Sequence, residues 1–132
     1  MIKGIGHVGI AVQDIEKSLA ALSRALNIPI PPIKDIPEKK MKVAVVDLSG
    51  IGLEFLEDYS GEGEFAEFVK ERGNAIHHFC LLTDNIEEDI EILKHRGVEM
   101  VNNKPRIGLR GKRIAFTKPG VLEGIPIELS EP

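Results

Sequence analysis

Two histidines and two glutamates occupy matching places in the two halves of this chain. His7 and His78 lie 71 positions apart, in "GHVGIA" and "HHFCLL", and Glu54 and Glu128 lie 74 positions apart, in "LEFLE" and "PIELS". Imidazole nitrogens and carboxylate oxygens are ligands that Zn, Ni, Co, Mn and Fe accept. A divalent ion with its open positions filled by water acts as a Lewis acid. The spacing therefore predicts a metal site, provided that the fold brings the four side chains together.

Strand alternation predicts that these four side chains share one face of a sheet. In "HVGIAV", large apolar residues alternate with the position of His7, and in "LEFLE" they alternate with that of Glu54. Successive side chains of a strand point to opposite faces, so the apolar face packs against helices and the histidine or glutamate faces away. A carboxylate such as Glu128, within the apolar run "IPIEL", is costly to bury unless something compensates its charge. A bound cation would do so.

The elements that carry these residues repeat along the chain. With the shift of 71, Ile15 meets Ile86 and Leu19 meets Ile90, while Asp14 and Asn85 precede the two predicted helices as N-caps. Strands are predicted at "IGHVGIAV", "MKVAVVDL", "LEFLE", "IHHFCLLT", "VEMV", "GKRIAF" and "IPIELS", with a short helix "FAEFVKERG" closed by a glycine. We therefore predict an α+β fold, one domain over 1–132 made of two βαβββ repeats, 1–60 and 74–132.

The composition narrows the functional class. The net charge of −4 argues against nucleic-acid binding, and no apolar run approaches the length of a membrane span. We see no signal peptide, and the single cysteine, Cys80, cannot form an internal disulfide. A buried, unreactive Cys80 and a cytoplasmic location are expected.

One segment is locally basic. Six cations and no acidic residue occur over 104–118: Lys104, Arg106, Arg110, Lys112, Arg113 and Lys118. Such a loop on an acidic protein could bind a phosphorylated ligand, although a solvated surface explains it equally well.

The other polar residues are predicted to be structural or solvated. Alternation turns His77 to the apolar side, and His95 lies at a helix end, where it complements the helix dipole. Glu57 and Glu131 fall on the face opposite the proposed ligands and are expected to be solvated. The acidic residues of 84–91 are expected to form an exposed helix face.

From residue 6 to 132 the sequence resembles the vicinal oxygen chelate superfamily (glyoxalase, bleomycin resistance protein and dioxygenase), and within it the methylmalonyl-CoA epimerases. The resemblance rests on "HVGIAVQDIEKSL", "IPEKKMKVAVVDL", "LEFLED", "EFVKERGNAIHHFCL", "KPRIGLRGKRIAF" and "IPIELSEP". It implies a cupped half-barrel sheet around a divalent metal, Co, Ni, Zn or Mn. His7, Glu54, His78 and Glu128 match the ligand positions, and Glu128 also matches a catalytic base.

The activity implied by this resemblance is epimerisation of methylmalonyl-CoA through a stabilised enolate. The second proton carrier stays open, between Glu54, a water molecule and another group. The resemblance also implies a homodimer, and the basic segment would hold the CoA phosphates through Arg106, Arg110, Lys112 and Arg113. Two alternatives remain: a glyoxalase-I-like lactoylglutathione lyase with the same ligand types, and a metal-free small-molecule binding protein of the same fold.

Overall fold

The computed structural model describes all residues from Met1 to Pro132. It contains eight strands, three α-helices and two short 3-10 helices, Pro37–Lys39 and Pro119–Leu122. The strands are β1 Ile2–Ala11, β2 Lys34–Ile36, β3 Met41–Leu48, β4 Ile51–Asp58, β5 Ala75–Thr83, β6 Arg106–Ile107, β7 Arg113–Phe116 and β8 Ile127–Ser130. The helices are α1 Ile15–Leu26, α2 Glu64–Arg72 and α3 Ile86–His95. The order confirms the α+β class.

The chain divides into two compact units. One consists of Met1–Val8 and His78–Pro132, and the other of Gly9–His77. Hydrogen-bonded strands follow the order β1-β5-β8-β7-β6 in the first unit and β2-β3-β4-β1 in the second. Strands β1 and β5 contribute residues to both units. The assignment of 1–60 and 74–132 as repeats of one domain stays a prediction.

In the unit Gly9–His77, helix α1 covers an apolar cluster. Ile15 and Leu19 are fully buried and pack with Ala44 and Phe55 of the β3–β4 hairpin. The Asp14 carboxylate accepts a hydrogen bond from the Lys17 amide, which satisfies one of the free donors at the start of the helix. Helix α1 ends at Asn27 in a left-handed conformation. Both ends of this helix agree with the sequence prediction.

The other unit repeats this arrangement around α3. Ile86 and Ile90 pack with Met100, Ala115 and Leu129. The side chain of Asn85 accepts a hydrogen bond from the Glu88 amide and caps the helix, as predicted. None of the three helices is long and apolar enough to cross a membrane.

The strand prediction was wrong at "VEMV". The Val98 amide donates a hydrogen bond to the Leu93 carbonyl and so completes the C-terminal turn of α3. Only Met100 of this segment forms a strand-like bridge, with Thr117. The structure also contains two short strands that were not predicted. These are β2 in the first half of the chain and β6 in the second.

Two carboxylates predicted to be solvated are buried instead. Glu57 is 9% exposed and accepts a hydrogen bond of 2.8 Å from the Ile15 amide at the start of α1. Asp89 is 8% exposed, accepts a hydrogen bond from the Thr83 hydroxyl and lies 3.2 Å from the N-terminal ammonium. Each of these two carboxylates accepts a hydrogen bond from a buried donor, and strand or helix periodicity does not show where such donors lie. Glu131 is half-buried and pairs with Arg113.

We expect Glu57→Ala to lower the free energy of unfolding by about 1–2 kcal/mol, because it removes a helix cap and leaves the buried Ile15 amide without its carboxylate. Urea denaturation followed by circular dichroism measures this. The control is Glu131→Ala, which removes a surface ion pair and should cost less than about 1 kcal/mol. Equal losses for the two variants would contradict the capping role of Glu57.

Candidate metal centre

Three of the four predicted ligands come together inside the unit Met1–Val8 with His78–Pro132. His7 lies on β1, His78 on β5 and Glu128 on β8. Strands β5 and β8 run parallel with Cys80 opposite Glu128, so His78, two residues before Cys80, projects from the same face of the sheet. All three side chains are buried, with exposures of 2%, 1% and 6% respectively. Strand geometry therefore places them on one shielded face.

Their donor atoms form a compact triangle. The Nε2 atoms of His7 and His78 lie 3.2 Å apart, and each lies 3.0 Å from Glu128 Oε2. Metal–ligand bonds of about 2.0–2.2 Å at right angles give ligand–ligand distances of about 3.0 Å. The triangle thus has the size of one face of a metal coordination shell, and its nitrogen and oxygen donors suit a divalent ion of the first transition row. These residues fit such a metal.

Glu128 is held in its ionised form. Burial on its own would raise the pKa of this carboxyl group. Hydrogen bonds and electrostatic attraction from His7 and His78 outweigh burial and lower the pKa from 4.5 to about 2. The group is therefore a carboxylate throughout the neutral range, as a metal ligand or a proton acceptor must be.

Aromatic rings pack against one another at the triangle. The rings of His7 and His78 meet edge to face with centroids 5.4 Å apart, and the ring of Phe116 lies 5.1 Å from that of His78. Cys80 is fully buried, as predicted. Burial of the three side chains lowers the local dielectric and strengthens electrostatic interactions at the site.

The fourth predicted ligand, Glu54, lies on β4 in the unit Gly9–His77. It is 5% exposed and stands opposite Val45 of β3. A buried carboxylate requires compensation, which is consistent with the role predicted for it. Its part in metal binding and proton transfer stays a prediction.

The residues of the basic segment have separate environments. Arg113 is paired with both Glu87 and Glu131. Arg106 places its guanidinium 6.0 Å from the centre of the Phe116 ring, and Lys112 is exposed. Arg110 reaches the metal centre itself, with a guanidinium nitrogen 2.7 Å from Nδ1 of His7. No pattern in the sequence indicates this contact.

His77 lies apart from the triangle, as alternation predicted. Its Nε2 is 3.1 Å from Glu64 of α2, and its ring packs on those of Phe65 and Phe68 at centroid distances of 4.6 and 4.8 Å. It attaches α2 to β5. His95 is the last residue of α3, as expected for a residue that complements the helix dipole.

Comparison with known proteins identifies the family of this chain. The family model of the Glyoxalase/Bleomycin resistance protein/Dioxygenase superfamily matches residues 6–116. The human mitochondrial methylmalonyl-CoA epimerase is 29% identical over 128 residues, covering 96% of this chain and 73% of that protein. An ethylmalonyl-CoA/methylmalonyl-CoA epimerase of Cereibacter sphaeroides is 29% identical over 133 residues, covering 99% of each. An uncharacterised protein of Bacillus subtilis is 28% identical over 128 residues, covering 97% of this chain and 91% of that protein.

Solved structures show the same fold. A hypothetical protein from Bacillus halodurans superposes with a TM-score of 0.89 at 34% identity, covering 97% of this chain and 93% of the other. Methylmalonyl-CoA epimerase from Mycobacterium tuberculosis superposes with a TM-score of 0.88 at 24% identity, covering 99% and 89%. With a family model that spans most of its length and a buried His/Glu cluster on a glyoxalase-like fold, this chain belongs to the Glyoxalase/Bleomycin resistance protein/Dioxygenase superfamily.

Proposed function

We propose that this protein is a metal-dependent epimerase of methylmalonyl-CoA. The observation that carries the proposal is the buried triangle of His7 Nε2, His78 Nε2 and Glu128 Oε2, with edges of 3.0–3.2 Å. A protein that only sequesters a small molecule has no need of three converging ligand atoms. The relatives named as epimerases support the choice of reaction.

His7, His78 and Glu128 would hold the metal, with Glu54 as the fourth ligand that the repeat predicts. When bound, a divalent metal supplies Lewis-acid stabilisation of the negative charge that develops on the substrate oxygens. The two histidines are neutral ligands, so they leave much of the ion's positive charge for the substrate. Both histidines are buried, and the ring of Phe116 packs edge-on against that of His78.

Epimerisation moves one proton off the α-carbon and returns one to the opposite face. Glu128 is ionised and can accept the α-proton, whose bonding electrons pass into the thioester carbonyl as an enolate. Reprotonation requires a second group on the other side of the substrate plane. Glu54 is our candidate, because the repeat relates it to Glu128 and because it is a buried carboxylate.

The phosphates of CoA would bind to the basic segment. Arg106 and Lys112 are exposed and suit such a contact. Arg113 already has two carboxylate partners, and so we assign it a smaller share of phosphate binding.

The test uses metal-stripped protein reloaded separately with Co, Ni, Zn or Mn. NMR in heavy water follows exchange of the α-proton of methylmalonyl-CoA, with the metal-free protein as control. We expect rapid exchange with racemisation in at least one metal form and none without metal. Conversion of a glutathione hemithioacetal in place of this exchange would support the lyase alternative. If no metal form acted on either substrate, both the epimerase and the lyase activity would be excluded.

A further inference from the structure

We propose that Arg110 regulates metal binding by stabilising the tautomer of His7 that cannot bind a metal through Nε2. The inference rests on the proposed function, since it concerns the same metal centre. It starts from the 2.7 Å contact between the Arg110 guanidinium and Nδ1 of His7. A guanidinium only donates hydrogen bonds and does not lose its proton in proteins. Nδ1 must therefore accept, and a neutral His7 carries its proton on Nε2.

That proton is on the nitrogen that the metal needs. Nε2 of His7 faces Glu128 Oε2 at 3.0 Å, so in this tautomer it donates a hydrogen bond to the carboxylate. A metal binds through the lone pair of Nε2, which requires the ring proton to move to Nδ1. Nδ1–H and the guanidinium are both donors, and they cannot remain in contact at 2.7 Å. Metal binding through Nε2 and the Arg110–His7 hydrogen bond thus exclude each other.

The position of Arg110 in the chain allows it to move away. It occupies the tight turn between β6 and β7, which is closed by a hydrogen bond of 3.1 Å from the Gly111 amide to the Gly108 carbonyl. Gly111 has a φ of +82°, a conformation that glycine adopts without strain. Arg110 is exposed, and its side chain can rotate into solvent without breaking any backbone bond of the turn. This movement breaks the hydrogen bond to His7.

Metal affinity tests the proposal without any measurement of activity. Metal-stripped wild-type protein and Arg110→Gln are titrated with Zn²⁺ and Co²⁺ in calorimetry, with Lys104→Gln as a control that removes one charge from the same basic segment. A hydrogen bond to a charged group contributes enough that its loss should tighten metal binding by about tenfold in Arg110→Gln. Lys104→Gln should stay within about twofold of the wild type.

The tautomer of His7 gives a second readout. In ¹⁵N NMR spectra of the metal-free wild type at slightly alkaline pH, Nδ1 of His7 should have the shift of an unprotonated nitrogen, and this preference should weaken in Arg110→Gln. Equal metal affinities for the Arg110 and Lys104 variants, or a protonated Nδ1 in the wild type, would overturn the inference while leaving the proposed function standing. Absence of metal binding by all three proteins would overturn both.

Discussion

Glu128→Gln is expected to lower the rate of α-proton exchange by at least about 10³-fold, within the range that loss of a general base produces. Glutamine has nearly the same shape as glutamate, but its amide is neither a strong proton acceptor nor an anionic ligand. The substitution therefore removes two functions at once, while the packing around β8 is retained. The rate is measured on the metal-loaded variant by the heavy-water NMR assay.

Acid unfolding of the metal-free protein tests whether Glu128 is ionised in the folded state. Folding lowers the pKa of Glu128 from 4.5 to about 2, so its charge stabilises the fold above a pH of about 4.5. This stabilisation is lost as the pH falls from 4.5 towards 2. Glu128→Gln lacks that part of the pH dependence, because an amide does not titrate.

Glu131→Gln is the matched control for activity. Glu131 follows β8 directly and pairs with Arg113 away from the histidines. The substitution makes the same change of carboxylate to amide as Glu128→Gln. The Glu131→Gln variant should keep nearly full exchange activity. Normal turnover by Glu128→Gln would remove Glu128 from the mechanism and require another base.

The regular elements were predictable because local signals and periodicity agree there. Asp14 and Asn85 cap their helices as expected, and Asn27 ends α1 in the left-handed conformation. The grouping of His7, His78 and Glu128 followed from alternation together with the repeat. Neither signal depends on knowing the tertiary neighbours of a residue.

The failures share a physical cause, which is that the partner of a residue decides its structure. Strands β2 and β6 have three and two residues, too few for a period-2 pattern, and they exist because β3 and β7 offer hydrogen-bonding partners. Glu57 was predicted to be solvated because alternation gives the face of a side chain but not what covers that face. In the structure, the first turn of α1 covers it.

Arg110 illustrates the same limit at the candidate site. Its sequence context indicates charge and a turn, and both fit a phosphate contact as well as a contact with His7. The direction of the side chain depends on how the β6–β7 turn sits over β1, which no local pattern encodes. The contact between Arg110 and His7 is therefore visible only in the three-dimensional arrangement.

The adjacent histidines of β5 provide the second large prediction. We expect His78→Ala to weaken metal binding by at least about 100-fold, since even the loss of an outer hydrogen-bond partner of a ligand costs 10–100-fold. The exchange rate at a fixed low metal concentration should fall with it. His77→Ala should instead keep the metal affinity within about threefold, because the ring of His77 contacts Glu64, Phe65 and Phe68 and not the triangle.

Stability separates the two variants in a complementary way. His77→Ala removes a buried ring from between β5 and α2 and should lower the free energy of unfolding by about 2–4 kcal/mol, as core truncations do. His78→Ala also truncates a buried ring, so its metal affinity is compared only after circular dichroism shows a folded protein. Adding saturating metal should raise the unfolding temperature of the wild type and of His77→Ala, because a ligand that binds only the native state stabilises it. If metal raised the unfolding temperature of His78→Ala as much as that of the wild type, the metal would have to bind elsewhere, and the triangle of His7, His78 and Glu128 would be a hydrogen-bonded cluster without a metal.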